Sequence, residues 1–372
     1  MRADLLTLRD FRNYAFAELP LCSGVNVLCG ENAQGKTNAL EAVGLLSTTR
    51  LFRSAQKKDA IRFGAERCEV GARFSAGGRE MTIKMAIPRE GRPQLEVNGV
   101  RQKRHADAAG LLRSVLFCPE DLGLVREGAA ARRRFLDTAL CQLRPNYATY
   151  LSEYSRLLEN KNRILKHSEE KPSLLETLDD FSYRMAMIGG HIVRYRAYYI
   201  RSLMGKAADI HAAVSGKKER LTYDYHTVSA VTDPFASASA IGAELWRHMQ
   251  EHRAAEIATK SCLSGVHKDD LALLIEGRAA KAFASQGQVR TCALSLKLAE
   301  RDMFFDDSGE YPILLLDDVL SELDARRQDF VLNRIGGGQV IITCCEPEKI
   351  REIGAGAAYA VENGVVTPLA TE

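Results

Sequence analysis

Gly30-Glu31-Asn32-Ala33-Gln34-Gly35-Lys36-Thr37-Asn38 is the stretch on which the reading of this chain turns. It follows an apolar run, Val25-Asn26-Val27-Leu28-Cys29, and opens a segment at 37–48 whose Ala39, Leu40, Val43 and Leu46 fall on one helical face. The pattern is G-x-x-x-x-G-K-[ST] in the strand-to-helix context that its chemistry needs. Two glycines let the backbone curl so that its N–H groups face a phosphate, and the helix N-terminus adds partial positive charge. Lys36 is then placed to reach the β- and γ-phosphates of ATP, and the Thr37 hydroxyl to ligate Mg²⁺. The bare pattern arises by chance in on the order of one chain in a hundred of this length; the flanking strand and helix make it rarer. All nine residues from Gly30 to Asn38 are therefore candidate ATP ligands.

Such a loop needs an acidic partner at the end of a neighbouring strand. Ile313-Leu314-Leu315-Leu316 predicts a buried strand that delivers Asp317 and Asp318 to the same sheet edge. Asp317 is expected to hold Mg²⁺ through water, and Asp318 to polarise the attacking water. Ser285-Gln286-Gly287-Gln288 precedes another helix, with Ser285 as its cap and no acid to repel an anion. Two readings stand: a capped helix, or a second phosphate-binding helix end that grips ATP held by another subunit. Phosphate loop, long insertion, capped helix, paired carboxylates and then Ser321-Glu322-Leu323-Asp324 is the order of ABC-type ATPase heads. The expected fold is α/β: an ABC-type P-loop ATPase head, a mixed sheet with helices, carrying an inserted helical or coiled-coil arm domain.

The rest of the chain fits that outline. Residues 5–8, 68–74, 81–87 and 95–97 read as strands, with Gly77-Gly78 and Asn98-Gly99 as hairpin turns. In the middle, Tyr147, Leu151, Tyr154, Leu158 and Leu165 keep a seven-residue rhythm, with Lys161 at the one missed position. Leu178, Phe181, Met185, Ile188, Ile192, Tyr195 and Tyr199 continue it, and the polar stretch 166–173 between them reverses the chain. The result is an antiparallel helical hairpin whose second helix runs about 45 Å, either projecting as an arm or folded into a helical subdomain. Gly189-Gly190 marks a kink or a close approach. A strand at 221–228, an alanine-rich helix around 244–259 and strands at 271–275, 313–316 and 340–343 follow. Those last apolar runs suit a buried parallel sheet. The expected division is 1–124 and 256–372 as the head, and 125–255 as the insertion.

Bulk composition constrains partners only loosely. The chain has 372 residues, 46% hydrophobic and 27% charged, in the range of globular proteins with a sizeable core. A net charge of +3 permits nucleic-acid binding without requiring it, so any basic surface must be local. Nine cysteines without zinc-finger spacing read as reduced thiols, and Cys344-Cys345 as strand residues. Arg2, Asp4, Arg9 and Asp10 interrupt any signal-peptide core, and no run approaches a membrane span, so a cytoplasmic protein is expected.

Here the chain resembles the RecF family, and over nearly its whole length. The resemblance lies in Phe11-Arg12-Asn13-Tyr14, the 30–38 loop with Leu40-Glu41-Ala42, Phe117-Cys118-Pro119-Glu120-Asp121-Leu122, Arg132-Arg133-Arg134-Phe135-Leu136-Asp137, Ser285-Gln286-Gly287-Gln288 and the stretch 314–324. It implies an ATP-dependent homodimer that binds gapped DNA at single-strand/duplex junctions in recombinational repair. Such a protein works with RecR, and through it RecO, to load RecA, with slow hydrolysis as a release timer. ATP would lie between 30–38 of one subunit and Ser285–Gln288 and Asp324 of its mate, and 117–122 would couple nucleotide to arm. The chain departs from the family at Val266 and Lys268, and at Cys344-Cys345-Glu346, where threonines and an aspartate are expected. Lys57-Lys58, Arg101 with Lys103 and Arg104, and Arg132–Arg134 are candidate DNA contacts or solvated faces. The Arg132–Arg134 run cannot all point one way on a helix. A P-loop kinase, a transporter ATPase subunit and an SMC-type organiser are the alternatives. The first would yield a phosphorylated product, the second carries LSGGQ in place of Ala284–Gln288, and the third needs a much longer coiled coil.

Overall fold

The computed structural model describes residues 1–54, 56–104, 108–228, 231–346 and 353–370. The chain divides into two compact units, Met1–Leu122 with Ala293–Glu372, and Gly123–Cys292. In chain order the first unit opens with β1 (Arg2–Phe11), β2 (Tyr14–Pro20), β3 (Val25–Cys29), α1 (Lys36–Thr48), β4 (Arg67–Ala76), β5 (Arg79–Pro88), β6 (Gln94–Val97), β7 (Val100–Arg101) and β8 (Ser114–Phe117). The second unit holds α2 (Gly123–Arg126), α3 (Ala129–Leu143), α4 (Pro145–His167), α5 (Leu178–Ser215), β9 (Leu221–His226), α6 (Ala238–Glu251), α7 (Arg253–Thr259), β10 (Asp270–Ile275), β11 (Arg278–Ala279), α8 (Ala280–Phe283) and the start of α9 (Gln286–Ser308). The chain then returns through β12 (Ile313–Leu316), α10 (Val319–Glu322), α11 (Ala325–Arg334), β13 (Val340–Cys344), β14 (Ala357–Glu362) and β15 (Val365–Leu369).

The first unit has two six-stranded sheets. One is ordered β15-β14-β3-β13-β12-β8 and is parallel apart from β15. Its inner strands β12 and β13 are buried at every position, as strands covered on both faces must be. The other, β2-β1-β4-β5-β6-β7, is antiparallel and alternates: Cys68, Val70, Ala72 and Phe74 point inward on β4, and Ile83, Met85 and Ile87 on β5. α1 contributes Leu40, Val43 and Leu46 to a core shared with both sheets. Two buried amides tie the sheets' ends together. Gln339 takes the Ala3 N–H at 2.7 Å and donates to the carbonyls of Ala3 and Cys22, and Asn26 bonds both backbone groups of Cys22.

The strand at 271–275 does not join the parallel sheet. β10 pairs antiparallel with β9 and β11 in a small sheet of the second unit and alternates in burial. That pairing carries the second unit on to Cys292, where the sequence placed the return at residue 256. The alanine-rich helix is two, α6 and α7, broken at His252.

The helical hairpin forms as α4 and α5, but α5 has 38 residues, about 57 Å at 1.5 Å per residue. It packs on α6 as well as α4. Its buried face is correspondingly wide: Met185, Ile192 and Tyr199 of the heptad set are buried, and so are Ala186, Val193, Ala197 and Ile200 beside them. Gly189-Gly190 marks a close approach. A Cβ on Gly190 would stand 2.0 Å from the Ala238 carbonyl oxygen where α6 crosses. Lys161, the heptad's missed position, is fully buried and pairs with buried Glu256 at 2.7 Å. Glu256 also accepts the N–H groups of Leu263 and Ser264.

The polar centre of this unit is Arg196. It is 2% exposed and donates to both carboxylate oxygens of Asp137, to Asp269 and to the Val266 carbonyl. Burial pushes Asp269 up to about 6, against the pull of Arg196 and the Tyr225 hydroxyl. Arg132 clamps Asp270 with two hydrogen bonds, and Arg133 donates to the Asp269 carbonyl. Gly265-Val266-His267-Lys268-Asp269-Asp270 is therefore the joint of the second unit. A Cβ on Gly265 (φ +132°) would meet the Tyr154 hydroxyl at 2.2 Å. His267 lies between the Tyr154 hydroxyl and the Cys262 carbonyl, and burial pulls it down to about 4.

Candidate nucleotide site

The 30–38 stretch runs from the end of β3 into the first turn of α1, at the C-terminal edge of the parallel sheet, where such sheets bind ligands. Gly30 has φ +155°, and a Cβ there would lie 2.3 Å from the Val361 carbonyl oxygen on β14. Gly35 has φ +123° and packs against the Asn13 and Tyr14 side chains. The loop is pinned from outside: Asn13 donates to the Gln34 carbonyl at 2.7 Å and Tyr14 to that of Gly35 at 2.9 Å. Asn38 donates to the Asn13 side-chain oxygen, and the Asn363 N–H donates to that of Gln34. Glu31, Asn32 and Ala33 form the exposed crest. The first turn of α1 carries no acid.

Lys36 folds back over the loop, its Nζ 2.7 Å from the Gly30 carbonyl and 3.0 Å from that of Glu31. Beneath it runs one hydrogen-bonded chain. Thr37 Oγ1 donates to Asp317 Oδ1 at 2.8 Å, Thr343 Oγ1 donates to the same oxygen at 2.9 Å, and the Asp318 N–H donates to Thr343 Oγ1 at 2.8 Å. Burial raises Asp317, while the hydroxyls of Thr37 and Thr343 pull it back. Asp318 is held at φ +51°, so that the chain turns sharply from β12 into α10. The structure thus brings Lys36, Thr37, Asp317 and Asp318 into one cluster. A hydroxyl and a carboxylate side by side suit Mg²⁺, which takes few protein oxygens and fills its shell with water and phosphate.

Thr343 and Cys345 belong to the same cluster; the sequence reads Cys345 as a strand residue beside Cys344, but β13 ends at Cys344 and Cys345 stands beyond it. Cys345 is exposed; its Sγ lies 3.3 Å from Lys36 Nζ, 3.3 Å from Asn32 Oδ1 and 4.0 Å from Asp318 Oδ1. Cys344 is buried beside Cys29, and burial pushes its thiol up to about 12. The Phe11–Tyr14 stretch has a structural account too. Arg12 makes two bonds to fully buried Glu41. Arg12, Asn13, Asn38, Arg53, Asp59 and Ile61 line a cavity of ≈ 500 Å³ beside the α1 N-terminus.

Ser285–Gln288 lies in the second unit. Its Ser285 and Gln288 cap each other: the Ser285 N–H donates to Gln288 Oε1 at 2.9 Å and the Gln288 N–H to Ser285 Oγ at 3.2 Å. Ser285 and Gln286 are exposed and Gly287 is half-buried. Asp324 caps α11 by accepting the Arg327 N–H at 3.0 Å, and that bond lowers its pKa. The side chains of Ser321 and Glu322 lie outside the described residues. Within 117–122, Asp121 turns back to accept the Cys118 N–H; on α9, Lys297 pairs with Glu300 at 2.6 Å.

Of the basic clusters, Arg132 and Arg133 are committed inside the second unit, while Arg134 is exposed. Lys58, Arg101, Lys103 and Arg104 are exposed on the first unit. Burial, with Arg50 nearby, pulls Lys57 down to about 8.

Comparison with known proteins agrees with this geometry. Residues 4–366 match the family model described as the RecF/RecN/SMC N terminal domain. "DNA replication and repair protein RecF" of Bacillus subtilis (strain 168) is 37% identical, covering 97% of this chain and 98% of that protein. The protein of the same name from Listeria monocytogenes serotype 4b (strain CLIP80459) is 38% identical, covering 98% and 99%. A solved structure described as "the recombination mediator protein RecF-ATPrS in RecFOR pathway" superposes with TM-score 0.92 at 31% identity, covering 99% of this chain and 98% of that one. The Smc head domain of Pyrococcus furiosus, at TM-score 0.56 and 16% identity, shares the fold. The chain therefore belongs to the RecF/RecN/SMC N-terminal-domain family, and within it to the RecF proteins.

Proposed function

We propose that this chain is an ATP-dependent DNA-binding ATPase of recombinational repair and replication. ATP is held by residues Gly30 to Asn38 of one protomer, and Ser285–Gln288 and Asp324 of its mate close on it. The closed homodimer grips DNA at single-strand gaps. RecR, and through it RecO, joins it there to load RecA, and slow hydrolysis releases the complex. The observation that carries this reading is the chain Thr37–Asp317–Thr343–Asp318 beneath Lys36. Thr37 and Asp317 would hold Mg²⁺, which supplies charge neutralisation at the phosphates. Asp318, whose N–H is fixed on Thr343, would orient water with its carboxylate. The cavity lined by Arg12, Asn13 and Asn38 would receive the ribose and base. Support comes also from the relatives, whose descriptions name DNA replication and repair, and from a solved RecF described with ATP.

The test is binding to a gapped duplex without nucleotide, with ADP and with ATP, for the wild type and Ser285→Arg. Tight binding only with ATP and intact Ser285 is expected. Binding that ignores nucleotide would remove the ATP clamp from the account.

A further inference from the structure

The outward face of α5 carries a ladder of cations and rings. Tyr198 is 41% exposed, with Arg194 one turn before it and Arg201 one turn after. The Arg194 guanidinium lies 5.5 Å from the centre of the Tyr198 ring and that of Arg201 4.9 Å. Phe235, ahead of α6, closes the far end: Arg201 is 4.8 Å from its ring, which meets Tyr198 edge-on at 5.3 Å. Among the described residues, neither guanidinium has a carboxylate within ion-pair distance. The nearby Asp233 carboxylate is turned to the Phe235 N–H instead. His191, stacked on Tyr150 one turn further back, is pulled down by burial and by Arg194.

Stacking on a ring fixes a guanidinium's plane and leaves its N–H edge free. An arginine held that way, without a carboxylate, is prepared to fork onto an external oxyanion. Arg194 and Arg201 stand seven residues apart, about 10.5 Å along the helix. Both guanidiniums lie within 5.5 Å of the one ring, close enough together to take neighbouring phosphates of a single strand. We infer that Arg194, Tyr198 and Arg201 form a contact strip for the phosphodiester backbone of DNA. The guanidiniums take phosphates on one strand, and the exposed edge of Tyr198 packs on the sugar between them. The inference rests on the DNA-binding reading above and locates one contact of it.

The experiment measures DNA affinity, with ATP present, as a function of salt for the wild type, Arg194→Gln/Arg201→Gln and Arg194→Gln. Removing one phosphate-bound cation flattens the log–log slope by about 0.9 on duplex and about 0.7 on single strands. The double variant should flatten by about 1.8 on duplex, and Arg194→Gln alone by about 0.9. Fluorescence of Trp246, the one tryptophan, on the neighbouring α6, reports whether the fold is intact. A wild-type slope in a folded double variant overturns the strip and leaves the DNA reading standing. Failure of the wild type to bind either DNA overturns both. Polyglutamate is the third probe: if the variants lose its binding while their DNA slope is unchanged, the strip serves an acidic protein partner and the inference falls.

Discussion

Lys161→Met should destabilise the second unit by an amount that the geometry sets. Lys161 and Glu256 are both within the core, at 0% and 1% side-chain exposure, and pair at 2.7 Å. Removing the ammonium leaves a buried carboxylate, and breaking such a pair from one side costs about 3–5 kcal/mol. Glu256 keeps the Leu263 and Ser264 N–H groups, at 2.9 and 3.3 Å, which places the loss near the lower bound, about 3 kcal/mol. With a urea dependence of about 2 kcal/mol per M, the unfolding midpoint should fall by roughly 1.5 M. Trp246 packs edge-on against Tyr183 at 5.5 Å within this unit, so its fluorescence follows the unit directly. Adding Glu256→Gln should recover most of the loss, because the neutral amide oxygen still accepts both N–H groups. A single variant within ~0.3 M of the wild type would refute the reasoning. So would a double variant less stable than the single.

Other consequences are as definite. Gly190→Ala places its methyl 2.0 Å from the Ala238 carbonyl oxygen and should cost about 1–3 kcal/mol or more, read as a lower Trp246 urea midpoint. His267 is held near 4 in the fold against 6.5 unfolded, so its contribution is present above pH 6.5 and is lost as pH falls to 4. At about 1.4 kcal/mol per unit, the stability of the wild type relative to His267→Gln should fall by about 3 kcal/mol between pH 7 and 4. The difference is the right quantity, because Asp269, raised to about 6, shifts both proteins in the opposite sense. Cys345 is the exposed thiol of nine and lies 3.3 Å from Lys36 Nζ, so alkylation mapped by mass spectrometry should reach it first, and ATP should slow that reaction at least about tenfold.

What could be read from the sequence follows how local each signal was. The phosphate loop was legible because its two glycines, its lysine and its threonine must be neighbours in the chain to surround one phosphate. Asp317-Asp318 was legible because four consecutive apolar residues announce a strand that can hardly be elsewhere than the core. The side chains and strands that hold the loop in shape were not. Asn13, Tyr14 and Asn363 reach it from the turn ends of the β1–β2 and β14–β15 hairpins, and β14, whose Val361 carbonyl crowds Gly30, carries no alternation that marks it as the neighbour of β3. Lys161 was visible as a fault in a heptad, but its partner lies on α7, beyond any periodicity. The strand at 271–275 shows the limit of an apolar run as a guide. Its residues suit a parallel sheet, yet the hydrogen bonds of β9 claim them. The 265–270 stretch is likewise explained by Arg196 and Arg132, two buried cations whose carboxylates it supplies.

Sedimentation of the Ser285→Arg variant with ATP, beside the wild type, tests most directly the claim that two copies of this chain share a nucleotide. Ser285 is exposed, so the arginine side chain meets no packing clash; it removes the Gln288 N–H cap, a loss of about 1 kcal/mol, and touches none of the Lys36 loop's hydrogen bonds. The account predicts that both proteins bind ATP but that only the wild type sediments as a dimer. A Ser285→Arg protein that dimerises with ATP as the wild type does would contradict it.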